Sequence, residues 1–181
     1  MAYSAWAARW RVPLGFALSA VYRVFAKPSF VTLVSGGAVA LLGLAIRAWA
    51  AGYVEKGSKL ATEGPYALTR NPLYLGSSMI GAGFALAGRS VWVAAAFAAL
   101  LVLVYVPVIR REERFLREKF GTAYDDYARG VPIFFPRIAR PRTSDVQFSW
   151  QRYRANREYE AALGFTVGLG LVTLKMALML P

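Results

Sequence analysis

Apolar residues in this chain gather into long unbroken runs, from Phe30 to Ala51 and from Val91 to Ile109. A run of about 20 is what a helix needs to cross the hydrocarbon layer of a membrane. No water reaches that layer to satisfy backbone N–H and C=O groups, so a lipid-facing run of this kind has to be helical. Leu73 to Ala87 is a shorter run, and Ala161 to Leu180 is apolar except for Lys175. Val12 to Ala26 is the weakest, because Arg23 sits inside it, near enough to one end to snorkel to the interface. The expectation is an all-α, polytopic membrane helix bundle of about five transmembrane helices. Four spans with an interfacial first helix is the alternative. Arg9 and Arg11 precede the first run as in a signal peptide, but Arg23 and Lys27 interrupt the place of a cleavage site, which predicts a retained helix.

Composition agrees with lipid as the surroundings and removes several chemistries. Hydrophobic residues make up 57% of the chain and charged residues 18%, against roughly a quarter charged in ordinary soluble domains. There is no cysteine and no histidine, which leaves no disulfide framework, no thiolate nucleophile, no thiolate or imidazole metal site and no imidazole base. No metal is expected. The net charge is +12. The basic residues lie beside apolar spans, so their partner is the anionic surface of a lipid bilayer and not nucleic acid.

Charge asymmetry orients the bundle. With the N-terminus in the cytoplasm, Arg9, Arg11, Lys56, Lys59, Arg70 and the dense run from Arg110 to Arg157 fall inside, and Lys27, Arg89 and Arg23 outside. The reverse would export nearly every cation, against the positive-inside rule. From Arg110 to Ala128 the sequence is charged and helix-forming, and continues the fourth span as a cytoplasmic helical extension until Pro132 and Pro136. The stretch Gln147 to Glu160 is expected to lie along the interface before the last span. One domain is expected over 1–181, with its core at about 63–136 and an additional C-terminal transmembrane helix at about 161–180.

Two clusters carry polar residues to the same side of the membrane. The first is Gly64-Pro-Tyr-Ala-Leu-Thr-Arg-Asn-Pro-Leu-Tyr-Leu-Gly76. The second runs from Arg110 through Glu112 and Glu113 to Phe120-Gly121, Tyr124, Tyr127 and Val131-Pro132. A tight turn at Gly88-Arg89-Ser90 makes the third and fourth spans a hairpin, so both clusters come to its mouth. A pocket between helices near a membrane surface is a reasonable ligand site.

At these residues the chain resembles the isoprenylcysteine carboxyl methyltransferases and phospholipid methyltransferases. Their pattern of Gly-x-Tyr, Arg-His-Pro-x-Tyr-x-Gly, a helical hairpin, Glu-Glu, Phe-Gly-x-x-Tyr-x-x-Tyr and Val-Pro is matched by Gly64–Tyr66, Arg70–Gly76, Glu112-Glu113, Phe120–Tyr127 and Val131-Pro132. The resemblance implies S-adenosylmethionine as cofactor, with S-adenosylhomocysteine as product. It also implies a membrane lipid or hydrophobic small molecule as substrate, taken from the bilayer at a cytoplasmic, bacterial inner-membrane face. Carried across, it places Arg70, Asn71, Pro72, Tyr74, Glu112, Glu113, Tyr124, Tyr127, Val131 and Pro132 at the cofactor, with Glu113 and Arg111 as catalytic residues. Asn71 stands where the family usually has histidine, and a further span follows the closing motif.

Methyl transfer from a sulfonium needs an aligned nucleophile in a shielded pocket and no metal or thiol. A carboxylate acceptor is ionised at pH 7 and needs only a cation to place it. Arg110 or Arg111 would serve for that, and Arg47, within a span near its cytoplasmic end, is the third substrate-binding candidate. A tyrosine or glutamate would be the base for a protonated acceptor. Plainer readings exist for the same residues. Glu113 and Arg117 have the spacing of a helix surface pair, Arg70-Asn71-Pro72 that of a helix start with an asparagine cap, and Arg110 and Arg111 suit membrane anchors. The glycines inside the spans, including Gly164-x-x-x-Gly168, suit close helix packing. Sterol-type reductases that use NADPH resemble the same hairpin, and a non-catalytic membrane protein retaining it is the remaining alternative.

Overall fold

The computed structural model describes residues 18–55, 58–137 and 146–179. Arg9, Arg11, Lys56, the start of the run from Val12, most of the connector after Pro136, and Leu180 lie outside them. All regular structure among the described residues is helical. Helix α1 covers 18–25, α2 is Phe30–Ala51, α3 Pro72–Ala87, α4 Val91–Leu100, α5 Val106–Phe120, α6 Thr122–Gly130, α7 Trp150–Ala155 and α8 Tyr159–Leu178. Helices α4 and α5 run into one another through a π-helical segment, Leu101–Tyr105. Pro107 has no N–H to give to the carbonyl four residues back, and a wider turn beside it absorbs the mismatch.

Among the described residues, three helices are long and apolar enough to cross a membrane: Phe30–Ala51, the continuous Val91–Phe120, and Tyr159–Leu178. Helix α3 has 16 residues, about 24 Å at 1.5 Å per residue, short of the hydrocarbon thickness. Large apolar side chains on the long helices, among them Val34, Leu41, Val102, Leu163, Val167 and Leu171, are exposed, the outward-facing surface of an integral membrane protein.

Helix α2 begins where its sequence says it must. Ser29 and Thr32 form a reciprocal capping box, and the Thr32 hydroxyl reaches Ala87 O at 3.2 Å, joining the start of α2 to the end of α3. Along the seam between these helices four glycines replace side chains by backbone. A Cβ on Gly43 would lie 2.6 Å from Gly76 O, and one on Gly83 would lie 2.6 Å from Ala40 N; Gly36 is equally tight against Gly83. The helices therefore touch backbone to backbone, the packing that small residues permit. In α8 only half of the expected small-residue motif is used. Gly168 faces the Phe84 ring, whereas nothing lies within 4 Å of a Cβ built on Gly164.

At one end of this seam, α2, α3 and α8 are joined by charge. Arg47 crosses over Gly76, whose absent side chain makes room for the arginine stem. Its Nε donates to Glu158 Oε1 at 2.5 Å and its Nη2 to Glu158 Oε2 at 3.0 Å, while Nη1 reaches Ser77 Oγ. Glu158 is 5% exposed. Just before it, Asn156 Nδ2 donates to Ala51 O and Val54 O, and Ser149 N to Gly52 O. The segment before α8, expected to lie along the interface, thus caps the last carbonyls of α2.

Candidate active site

The site is built where α3 begins. Gly64, with a φ of +58°, has the left-handed backbone that favours glycine, and the 3-10 turn Gly64–Ala67 that follows turns Tyr66 inward. The next three residues are gripped by the chain after α6. The Thr69 hydroxyl donates to Phe134 O at 2.8 Å, Arg70 N to Pro132 O at 2.9 Å, and Asn71 Nδ2 to Ile133 O at 2.8 Å. Asn71 occupies the N-cap position of α3 with Pro72 after it, as the helix-start reading expected. Its side chain makes no cap bond, because the amide is directed to Ile133.

The second cluster reaches the same place through a break that the sequence reading did not contain. The charged helix does not run on to Ala128. It ends at Phe120, because Gly121 takes φ +54° and ψ −128°, and α6 folds back against α5. That reversal brings Tyr124, fully buried, over Glu113. Tyr124 Oη donates to Glu113 Oε1 at 3.0 Å, and Arg70 Nη1 lies 2.6 Å from the same oxygen. The Glu113–Arg117 surface pair is therefore not formed: Glu113 pairs with Arg70, and Arg117 with Asp125 at 2.7 Å. Tyr127 Oη donates to Tyr66 O at 2.8 Å.

These contacts enclose a cavity of about 240 Å³. Arg70 and Asn71 line it from the start of α3, Glu112 and Glu113 from α5, and Tyr124 and Tyr127 from α6. Val54, Glu55, Lys59, Leu60, Ala61, Tyr66, Leu73, Phe115, Leu116, Lys119 and Phe120 complete the wall. Of these, Leu116, Lys119 and Phe120 follow Glu112 and Glu113 at three- and four-residue spacing, so a helical stripe drawn through the Glu-Glu pair finds them. Lys59 and Leu60 belong to a loop with no such signal.

The other expected residues stand outside the lining. Pro72 is buried at the first turn of α3, and Tyr74 lies edge-on to Tyr105 at 5.8 Å between ring centres. Val131 is buried, and Pro132 contributes the carbonyl that holds Arg70 N. Arg110 and Arg111 are exposed on α5. Arg47 is engaged with Glu158 and Ser77, one turn along α3 from the cavity.

The electrostatics are those of a partly desolvated polar pocket. Burial pushes the Tyr66 hydroxyl far up, with the neighbouring Glu112 charge adding to it. Burial raises Tyr127 likewise, and Tyr124 against an opposing hydrogen bond from Arg70. None of these phenols is a base near neutrality; each is a donor held in its protonated form. Arg70 Nε is buried and has no hydrogen-bond partner among the described residues. A buried donor left unpaired costs of order 1–3 kcal/mol, so this end of the guanidinium is set to receive an acceptor from a ligand.

Comparison with known proteins finds similarity over the same part of the chain. The sequence profile of the family described as phospholipid methyltransferase matches residues 39–123, from within α2 through the hairpin to the start of α6. The nickel-cobalt-cadmium resistance protein NccN of Alcaligenes xylosoxydans xylosoxydans is 34% identical over 146 residues, covering 75% of this chain and 67% of that protein.

The chain belongs to the phospholipid methyltransferase family.

A second relative, the cobalt-zinc-cadmium resistance protein CzcN of Cupriavidus metallidurans, is 35% identical over 140 residues, 72% of this chain and 63% of that protein. The chain thus spans about two thirds of the length of these family members. No solved structure matches it.

Proposed function

We propose that this family member transfers a methyl group from S-adenosylmethionine to a hydrophobic, membrane-partitioned acceptor at the cytoplasmic face of a bacterial inner membrane, leaving S-adenosylhomocysteine. The observation that carries the reading is the convergence of Arg70 and Asn71 with Glu112, Glu113, Tyr124 and Tyr127 on one cavity beside the membrane hairpin. The volume of about 240 Å³ falls just below the roughly 300–1,000 Å³ usual for small-molecule sites, which favours a nucleoside-sized group over a dinucleotide such as NADPH. The unpaired Arg70 Nε supplies a donor for an acidic group of the ligand. Glu112 supplies negative charge for a cationic one, and the aromatic faces of Tyr66 and Tyr124 favour a cation nearby.

When bound, the cofactor supplies an electrophilic methyl on a sulfonium. The chain's own residues have the remaining tasks. Glu113 fixes Arg70 by an ion pair and Tyr124 by a hydrogen bond, so the three hold one geometry. The 131–134 segment holds α3's first turn against them through three hydrogen bonds. Positioning of this kind is the main source of rate when no bond to the protein is made. Leu73, Phe115, Leu116 and Phe120 exclude water on the apolar side of the wall. Lys59 and Lys119 are the cations of the wall besides Arg70, and they orient an acidic acceptor. A carboxylate needs no deprotonation at pH 7, which suits a pocket whose tyrosines are all held protonated. Arg110 and Arg111, exposed on α5, meet anionic headgroups at the membrane surface and bring the acceptor's polar end to the mouth.

Both relatives are named for metal resistance. If that role extends to this chain, methylation of a membrane component is the chemistry that would carry it. Membranes from producing cells, incubated with methyl-labelled S-adenosylmethionine and extracted, test the reading. Label is expected in the lipid extract, and its loss in Glu113→Ala. An unlabelled extract from the unaltered protein overturns it.

A further inference from the structure

The other end of the bundle poses a different electrostatic problem. No aspartate or glutamate occurs between residues 1 and 54, 64 and 111, or 161 and 181. The end remote from the candidate active site nevertheless carries Arg23, Lys27, Arg89 and Lys175. These are brought together there: Lys27 N donates to Gly88 O at 2.8 Å, and Lys175 Nζ reaches Arg23 O at 2.5 Å and Tyr22 O at 3.4 Å. The Lys175 contacts satisfy the last carbonyls of α1, where the helix dipole favours a cation, but they supply no negative charge. None of the four cations has a carboxylate partner among the described residues, so an anion reaching this end would meet cations that no described carboxylate neutralises.

The same end contains a cavity of about 840 Å³ between α1, α3, α4 and α8. It shares no lining residue with the candidate active site. Its wall is apolar except for Ser19, Tyr22, Arg23 and Lys175, and no acidic residue lines it among those described. Glycine shapes it, since Gly164 leaves open space where a side chain would stand. The Tyr22 hydroxyl, buried at this end, has no hydrogen-bond partner among the described residues.

We propose that this cavity binds an anionic glycerophospholipid from the leaflet opposite the active site, one acyl chain filling the space beside Gly164 and Gly168 and the phosphate resting at Arg23 and Lys175. An acyl chain suits an apolar space that the described residues leave open, and a phosphate supplies charge opposite to that of Arg23 and Lys175. At about 1 kcal/mol for each cation near an anionic headgroup, Arg23 and Lys175 each contribute roughly fivefold in affinity.

Native mass spectrometry of the full chain, released from detergent with equimolar phosphatidylglycerol and phosphatidylcholine of identical acyl chains, tests the assignment. One phosphatidylglycerol is expected to remain bound to the unaltered protein in preference to phosphatidylcholine. Gly164→Phe is expected to abolish retention by placing a ring where the acyl chain would lie, and Arg23→Gln, at an exposed position, to lower the preference about fivefold. Equal retention of the two lipids, or unchanged retention in a folded Gly164→Phe protein, overturns the proposal. So does a crosslink placing residues before Leu18 inside the cavity. Should Gly164→Phe not fold, Arg23→Gln decides alone.

Discussion

Helix α3 has two faces that are packed in opposite ways. Toward α2, Gly76 and Gly83 meet Gly36, Gly43 and Ala40 at backbone distance, with no side chain between. Toward α4 and α8, contact is made through side chains, with the Phe97 ring against Gly81 and the Phe84 ring against Gly168, and Phe84 and Ala85 also border open space. The first face fixes where α3 sits, and therefore where Arg70 and Asn71 are held. The second leaves volume that the described residues do not fill. In a bilayer there is no hydrophobic gain from helix association, because lipid is as apolar as leucine, so close contact of small residues is what holds such helices together. Precision on one side and space on the other follow from where the glycines face.

The sharpest way to break that contrast is to put one side chain into the tight seam and another beside the open space. Gly43→Val drives two methyl groups into the Gly76 backbone, and is expected to cost 3 kcal/mol or more, read as loss of the folded peak in detergent or a large drop in melting temperature. Gly164→Ala, facing open space, is expected to stay within about 0.5 kcal/mol of the unaltered protein.

Next in size is the ionic joint that closes the tight face. Glu158→Gln leaves Arg47 partly buried without its partner and should destabilise by about 3–5 kcal/mol. Replacing both residues by methionine should recover most of that, since two apolar groups leave no uncompensated charge. Chemical denaturation of the single and double variants checks the difference. Equal losses in the two would show that the pair is not acting as a unit.

A smaller effect is expected from pH at the polar pocket. Tyr66, Tyr124 and Tyr127 hold their protons above the ordinary phenol value of 10.0. The unfolded chain gives up those protons first as pH rises. The stabilisation is therefore complete below pH 10 and declines as pH climbs through the raised values. Melting temperature measured from pH 8 to 11 should be flat and then fall. Tyr127→Phe should lower stability by about 1 kcal/mol at neutral pH, through loss of the bond to Tyr66 O, and soften the alkaline fall. The smallest effect is expected at the surface. Arg129 and Asp126 pair in the open on α6, and Asp126→Asn should leave the melting temperature unchanged, as exposed pairs commonly do.

How much of this the sequence disclosed depended on the range of the interaction. The limits of α2 and the turn at Gly88-Arg89-Ser90 were legible, because an apolar run and a short polar turn are local signals. The meeting of the two polar clusters was legible from the hairpin, since antiparallel helices joined by so short a turn bring their far ends together. The partner of Glu113 was not. Arg117 stands four residues away with favourable spacing, but Gly121 reverses the chain and gives Arg117 to Asp125, leaving Glu113 to Arg70. Arg47 was open to reading as a snorkelling or substrate-binding residue. Its actual partner, Glu158, lies 111 positions on, beyond the reach of any periodicity. The glycines announced close packing without naming the neighbours, and only the fold distinguishes Gly43, which touches backbone, from Gly164, which touches nothing.

The account rests on the small cavity being a cofactor site, and its most direct test is titration of the detergent-solubilised protein with S-adenosylhomocysteine, followed calorimetrically, with NADPH in a parallel titration. Saturable binding with one site per chain is expected, weakened at least tenfold in Glu113→Ala, a loss of about 1.4 kcal/mol or more, and not displaced by NADPH. Binding of NADPH in place of S-adenosylhomocysteine, or no saturable binding of S-adenosylhomocysteine to a folded protein, would contradict it.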